Sequence, residues 1–135
     1  MNAPKANNLK SAKAPGALIF VVDDEPMLLE LASVILEPLG HKIKTFRDPQ
    51  SAIDAFATSK PRPSLIITDY AMHALTGMDL IQACRKINPE QRVLLVSGTV
   101  DENIFRGSNV RPDRFLAKPY QAKQLVDLVE ALLPN

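Results

Sequence analysis

Apolar residues in this chain fall into five short runs, and the segments between the runs have helical spacing. The runs are short, and the first of them is apolar throughout, which is typical of a strand that is buried on both faces of a sheet. They comprise residues 18–22, 43–46, 65–68, 93–96 and 114–117. Between them, apolar residues recur every three or four positions, which predicts about five helices.

Prolines and glycines mark where the predicted helices begin and end. Pro26 suits the first helical position, because its missing N–H has no helical partner there anyway. Pro38 and Gly40 end that helix. The pattern in residues 99–112 differs from the rest, and we predict one short helix there, at about 101–106.

The strict alternation of strands and helices predicts the fold class. Alternation of this kind implies right-handed crossovers and a parallel sheet that is covered by helices on both faces. A chain of 135 residues suits one domain with its own core. We therefore predict a single-domain, doubly wound α/β fold over residues 17–133. Residues 1–16 are rich in Ala, Asn, Lys, Ser, Pro and Gly, which predicts a flexible N-terminal tail.

Charge and cysteine content narrow the range of partners. The net charge of +1, from 16 basic and 15 acidic residues, gives no electrostatic reason to expect nucleic acid or an anionic membrane. No stretch approaches the ~20 apolar residues of a membrane span. The single cysteine, Cys84, is interpreted as a small buried residue of a helix. We expect a cytoplasmic protein, a monomer or weak dimer, that binds neither nucleic acid nor membrane.

Polar side chains stand at the carboxyl ends of four predicted strands. They are Asp23 and Asp24, Asp69, Ser97 and Lys118. In an open parallel sheet these strand ends share one edge, and ligands bind in the crevice there. We therefore expect the five side chains to converge. The two histidines, His41 and His73, are interpreted as solvent-facing rather than as ligands.

This combination of groups indicates phosphate chemistry that is assisted by a metal ion. Three neighbouring carboxylates need a cation in order to stay ionised together. A set without sulfur or imidazole favours a hard ion, Mg²⁺ or Mn²⁺, over zinc. The hydroxyl and the ammonium suit a multiply charged oxyanion. Phosphoryl transfer needs mainly in-line placement and charge neutralisation, and a carboxylate can be the nucleophile.

Four motifs at the strand ends together resemble the receiver domain of two-component response regulators. They are residues 22–26 (VDDEP), 69–72 (DYAM) with Gly77, 97–98 (SG) and 118–120 (KPY). Each motif is weak alone, but all four in this order form a specific signal, and the similarity covers residues 17–133. The resemblance implies a flavodoxin-like sheet with strand order 2-1-3-4-5, as in chemotaxis regulators.

The resemblance also assigns the phosphoacceptor and the metal ligands. Asp69 matches the aspartate that accepts the phosphoryl group. Asp23 and Asp24 match the acidic pair that holds Mg²⁺ together with Asp69, and Asp24 is the better candidate for direct ligation. The backbone carbonyl of Ala71 matches a further metal ligand.

Three further residues match the switch of the family, and two positions depart from its pattern. Ser97 and Lys118 match the hydroxyl and the lysine that contact the phosphoryl group, and Phe115 matches the aromatic residue that swings inward on activation. Gly98 stands where alanine is common, which predicts wider access to the phosphoryl site. His73 stands where proline is usual, which predicts a less rigid loop.

The function implied by the resemblance is that of a phosphorylation switch rather than a turnover enzyme. A histidine kinase or histidine phosphotransfer protein donates the phosphoryl group to Asp69, and the domain switches a surface that binds an unknown downstream protein. Two alternatives stay open. A magnesium-dependent phosphatase-like enzyme usually needs a second acid two residues after the nucleophile, where this chain has Ala71. An unphosphorylated interaction module would not need the complete set of polar strand-end residues.

Overall fold

The architecture was taken from a computed structural model that describes residues 16–98 and 109–134. Five strands form one sheet: β1 (Leu18–Val22), β2 (Lys42–Phe46), β3 (Leu65–Asp69), β4 (Val93–Ser97) and β5 (Arg114–Ala117). The described ranges contain four α-helices: α1 (Pro26–Leu36), α2 (Pro49–Thr58), α3 (Gly77–Ile87) and α4 (Ala122–Leu132). A 3₁₀ turn, Glu37–Leu39, follows α1.

All strand pairs are parallel, and the strand order is β2-β1-β3-β4-β5. This confirms the predicted doubly wound, flavodoxin-like sheet. The short helix predicted at about 101–106 lies outside the described residues, as do residues 1–15 of the predicted tail. The domain limits at 17 and 133 stay predictions.

The register of the sheet brings the polar strand ends together. Val22 is the partner of Thr68, so Asp23 and Asp69 are the next residues along neighbouring strands. Ser97 is the partner of Ala117, which immediately precedes Lys118. Since all strands run in the same direction, these residues share one edge of the sheet.

The core consists of two apolar clusters, one on each face of the sheet. One cluster contains side chains from α1 and α4, and the other contains side chains from α2 and α3. Because side chains alternate along a strand, neighbouring residues enter opposite clusters. On β5, Phe115 packs against the α2/α3 cluster while Leu116 belongs to the α1/α4 cluster. Strands β3 and β4 are buried along their whole length.

Helix boundaries follow local chemistry. Pro26 is the first residue of α1, and Gly40 ends the following turn with a φ of 98°, a left-handed conformation that glycine adopts without strain. Thr76 and Asp79 form a reciprocal capping box at the start of α3, with Thr76 Oγ1 accepting from the Asp79 N–H at 3.2 Å. None of the helices in the described ranges is long and apolar enough to cross a membrane.

The interpretation from sequence alone is confirmed for Cys84 but not for His41. Cys84 is 1% exposed, and burial raises the pKa of its thiol to about 12, which confirms its interpretation as a small core residue. The interpretation of His41 as solvent-facing is wrong. His41 is buried, its Nδ1 accepts a hydrogen bond from the Ala17 N–H at 3.2 Å, and burial lowers its pKa despite the charge of Glu130.

Candidate functional site

Three carboxylates meet at the carboxyl edge of the sheet. Asp23, Asp24 and Asp69 each offer an oxygen, and these oxygens lie within 4.8 Å of one another. Asp23 and Asp69 are buried, whereas Asp24 is partly exposed. Asp23 is held in place by the Glu25 N–H, which donates to its Oδ1 at 2.9 Å. The structure thus brings together the acids that the sequence predicted, and the cluster can hold a metal ion.

The ammonium of Lys118 lies between two of these acids. Its Nζ is 3.0 Å from Asp69 Oδ1 and 3.2 Å from Asp23 Oδ2. Three carboxylates and one ammonium leave an excess of two negative charges in a largely buried site. Because such an excess is costly away from water, the site is chemically suited to a divalent cation.

The pKa values in this cluster reflect burial and mutual contact. Burial raises the pKa of Asp69, and the charge of Asp23 adds to the effect, although the hydrogen bond from Lys118 opposes it. Burial alone would lower the pKa of Lys118. The hydrogen bond to Asp69 and the charges of both acids outweigh burial, so the pKa of Lys118 stands above its ordinary value.

A small cavity lies beneath the acids, between β1, β3 and the residues after β5. Its volume is about 20 Å³, and Asp23, Asp69, Lys118 and Tyr120 are among the residues that line it. Polar groups and a volume of this size suit one water molecule. Burial raises the pKa of the Tyr120 hydroxyl, and the nearby charge of Asp23 acts in the same direction. In the sequence, Tyr120 stands out only as part of the KPY motif at residues 118–120.

The other predicted site residues lie around this cluster. Ser97 is the last residue of β4 and is buried, while the following Gly98 is exposed. A Cβ added at Gly98 would meet no atom within 4 Å, so the space beside it is open. Ala71 lies exposed in the loop two residues after Asp69, and Phe115 is half-buried on β5.

Gly77 holds the loop after Asp69 against the sheet. Its N–H donates to the carbonyl of Tyr70 at 2.8 Å. A Cβ at this position would overlap the carbonyl oxygen of Asp69 and would lie 2.9 Å from Cδ1 of Leu95. Glycine is therefore required by the close approach of α3 to the end of β3, a reason that the motif alone did not reveal.

A tight turn carries His73 to the rim of the acidic cluster. The Leu75 N–H donates to the His73 carbonyl at 2.8 Å, and Ala74 between them has a φ of 72°. This is a γ-turn with a positive φ at its centre, a rare conformation for alanine. His73 is 92% exposed, as predicted, but its Nε2 lies 3.4 Å from Asp24 Oδ2. An imidazole thus stands beside the acidic cluster, a contact that the sequence does not predict.

Known proteins with similar sequences are regulatory proteins. The chain is 32% identical over 126 residues to the probable transcriptional regulatory protein TcrX of Mycobacterium tuberculosis, which covers 93% of this chain and 53% of TcrX. It is 34% identical over 122 residues to the nitrogen assimilation regulatory protein NtrX of Azorhizobium caulinodans, which covers 85% of this chain and 26% of NtrX. The chain thus spans about half or less of the length of these relatives.

Solved structures with the same fold are receiver domains and chemotaxis regulators. The response regulator TrrA of Thermotoga maritima, in complex with Mg²⁺ and a beryllium fluoride, has a TM-score of 0.76 and 25% identity. That comparison covers 87% of this chain and 99% of TrrA. The chemotaxis protein CheY4 of Vibrio cholerae has a TM-score of 0.81 at 22% identity, covering 87% of this chain and 99% of CheY4, which shows the shared fold alone.

The relatives also bear on the expected partners. MtrA of Mycolicibacterium smegmatis, which is 29% identical over 115 residues, is a DNA-binding response regulator. The expectation that nucleic acid is not a partner therefore finds no support among these proteins. Response regulators are signalling proteins, and their receiver domains act with histidine kinases or phosphotransfer proteins.

Fold, strand-end chemistry and sequence similarity agree on one family. The sequence model of one protein family, the response regulator receiver domain, matches residues 19–130, which is most of the chain. Neither a phosphatase-like enzyme nor an unphosphorylated interaction module is favoured by these findings. The chain belongs to the receiver domains of two-component response regulators.

Proposed function

We propose that this receiver domain accepts a phosphoryl group on Asp69 from a histidine kinase or a histidine phosphotransfer protein. The observation that carries the proposal is the environment of the Asp69 carboxylate. Its side chain is 9% exposed, with the Lys118 ammonium at 3.0 Å and two further carboxylates alongside. A nucleophile, a cation and a candidate metal site thus adjoin one another at the sheet edge.

The donor set fits Mg²⁺, with Mn²⁺ as a second candidate. Asp23, Asp24 and Asp69 supply oxygen ligands, and we assign the backbone carbonyl of Ala71 as a further ligand. Hard divalent cations prefer this chemistry and retain waters that phosphate oxygens can replace. When bound, the ion neutralises the charge on the phosphoryl oxygens during transfer.

Transfer requires one bond to form and one to break. An oxygen of the Asp69 carboxylate attacks the phosphorus in line, the P–N bond to the donor imidazole breaks, and the electron pair of that bond remains on the imidazole nitrogen. Lys118 then pairs with a phosphoryl oxygen instead of with Asp69 Oδ1. Ser97, at the end of the neighbouring strand, donates its hydroxyl hydrogen to another phosphoryl oxygen.

The same rearrangement supplies the switch. The ammonium of Lys118 bridges Asp69 and Asp23 in the structure, so a new anion on Asp69 changes the contacts of both acids. Because Ser97 ends β4 and Lys118 directly follows β5, the change reaches the surface formed by these strands and their helices. We place Phe115 in that switch, and an unidentified downstream protein on that surface.

The surface beside the site supports a protein as the donor. Helix α1 exposes Met27, Leu31 and Val34, with side chains 83%, 41% and 62% exposed. Their i, i+4, i+7 spacing forms one apolar stripe of the kind that packs against a helix of another protein. A groove of about 350 Å³, lined in part by Leu31, Pro119 and Tyr120, joins this stripe to Lys118.

Labelling with acetyl phosphate and Mg²⁺, followed by mass spectrometry, tests the proposal. We expect one phosphoryl group per wild-type chain, located on Asp69, and none on the Asp69→Asn variant. Asp54→Asn is the matched control, because Asp54 is exposed on α2, away from the sheet edge, and should leave labelling intact. Equal labelling of the wild type and Asp69→Asn would overturn the assignment.

The same preparation separates a switch from a turnover enzyme. We propose that the domain phosphorylates and dephosphorylates itself without sustained hydrolysis of small phosphate esters, since Ala71 occupies the position of a second acid. Multiple turnovers of such an ester that require Asp69 would revive the phosphatase alternative.

The cytoplasmic location stays a prediction.

A further inference from the structure

We propose that His73 is a nitrogen donor to the metal site and that it makes the site favour Mn²⁺ and similar ions over Mg²⁺. This inference rests on the proposed function, because it concerns the ion held by Asp23, Asp24 and Asp69. It adds a residue that the oxygen-only ligand set lacks, and it concerns which ion the site selects.

The imidazole of His73 lies at the rim of the acidic cluster. Nε2 of His73 lies 3.4 Å from Oδ2 of Asp24, the most exposed of the three carboxylates. Two ligands on neighbouring corners of an octahedral ion lie roughly 3 Å apart, because each bond is about 2.1 Å long. The separation of His73 from Asp24 is therefore close to that of two ligands of one ion. The group of ligand atoms within 4.8 Å of one another contains the three acids without His73, so coordination requires its ring to turn toward them.

The ring of His73 can move more freely than its backbone. The γ-turn at Ala74 holds the His73 carbonyl by a 2.8 Å hydrogen bond from the Leu75 N–H. The His73 side chain itself is 92% exposed. The backbone thus holds the residue beside Asp24, while the ring can turn toward a ligand without disturbing core packing.

Imidazole nitrogen binds some metal ions more strongly than others. Carboxylate and carbonyl oxygens suit Mg²⁺ and Mn²⁺ alike, whereas an imidazole nitrogen binds transition metals more strongly. Mg²⁺ gains little from a nitrogen ligand and retains water in its place. Adding one imidazole to three carboxylates therefore raises the affinity for Mn²⁺ more than the affinity for Mg²⁺.

Electron spin-echo spectroscopy of the Mn²⁺-loaded full chain provides the direct test. We expect modulation from a coordinated imidazole nitrogen in the wild type and its loss in His73→Gln. Glutamine keeps a hydrogen-bond donor near Asp24 but has no imidazole. The only other histidine in the sequence is His41, whose buried Nδ1 already accepts a hydrogen bond, so the variant identifies the source of the signal.

Titration calorimetry of the same two proteins supplies the second readout. We expect His73→Gln to weaken Mn²⁺ binding about tenfold, the lower end of the effect of losing a group that supports a metal, and to change Mg²⁺ binding much less. An equal loss for both ions, or no nitrogen modulation in the wild type, would overturn the role of His73. If Mg²⁺-dependent labelling of Asp69 persists in that case, the proposed function stands; if neither ion binds the wild type, both proposals fail.

Discussion

At the scale of single residues, Gly98 leaves open space at the edge of the sheet that also carries Asp69. It follows the buried Ser97 at the end of β4, is exposed, and leaves room for a side chain. With Asp69 as the proposed phosphoacceptor, we expect a larger residue at position 98 to shield the phosphoryl group and to hinder the attack of water. Gly98→Leu is therefore expected to lengthen the lifetime of phosphorylated Asp69 severalfold.

The decay of phosphorylated protein after removal of acetyl phosphate measures this effect. Gly98→Ala is the graded control, because a single methyl group fills less of the open space and should give a smaller delay. A lifetime that is the same in Gly98→Leu and the wild type would refute the steric role of this position.

The sequence predicts which acids meet at the sheet edge, but it does not predict every side chain that contacts them. Asp23, Asp69 and Lys118 follow apolar strands, so the parallel topology is sufficient to bring them together. The contact between His73 and Asp24 depends instead on a positive φ at Ala74, and alanine carries no sequence signal for that conformation. Burial of His41 was missed because its partner is a backbone N–H, which every residue but proline has.

At the scale of elements, the start of α3 determines the path of the loop after Asp69. Because a Cβ at Gly77 would overlap the Asp69 carbonyl oxygen, Gly77→Ala must push α3 away from β3. We expect the free energy of unfolding to fall by roughly 2 kcal/mol, within the range found for overpacked sites. We also expect slower labelling of Asp69, because its backbone moves.

Urea denaturation and acetyl phosphate labelling of Gly77→Ala check both effects. Gly98→Ala is the matched control for stability, since the added methyl group meets no atom within 4 Å. Equal stability losses in the two variants would show that the close contact at Gly77 has no special cost.

Element boundaries were predicted well wherever hydrophobic pattern and turn chemistry agree. Strand β1 and the first residue of α1 lie where the sequence places them. Strands β3 and β4 each extend one residue further, to Asp69 and Ser97, because the parallel ladder pairs Asp69 with Val96 and Ser97 with Ala117. Hydrophobicity alone cannot place a polar residue inside a strand, since that assignment depends on the neighbouring strand.

At the scale of the whole molecule, burial of the Asp69 carboxyl makes the stability of the fold depend on pH. The pKa of Asp69 is raised in the folded chain, chiefly by burial. Ionisation of Asp69 therefore costs folding free energy. The cost is fully present above the folded-state pKa and disappears as the pH falls below the unfolded-state pKa, which is about 4.

Asp69→Asn is accordingly expected to raise the free energy of unfolding at pH 7 by roughly 1 kcal/mol, and by less at pH 4. Lys118 retains Asp23 as a partner at 3.2 Å, so the variant does not leave the ammonium unpaired. Urea denaturation in the presence of a chelator, at both pH values, measures the difference.

Asp127→Asn serves as the control for this measurement. Asp127 is exposed on α4 and pairs with Lys123 one helical turn away, an arrangement that contributes little to stability. A stabilisation by Asp69→Asn that is equally large at pH 4 and pH 7 would contradict a cost of ionisation.

The division of β5 between the two apolar clusters has a mechanical consequence. Phe115 leans on one layer of helices and Leu116 on the other, and only Ala117 separates this pair from Lys118. A displacement of the Lys118 ammonium is therefore expected to shift a strand whose side chains contact both layers of helices. Through β5, a new charge on Asp69 could therefore alter the packing on both faces of the sheet.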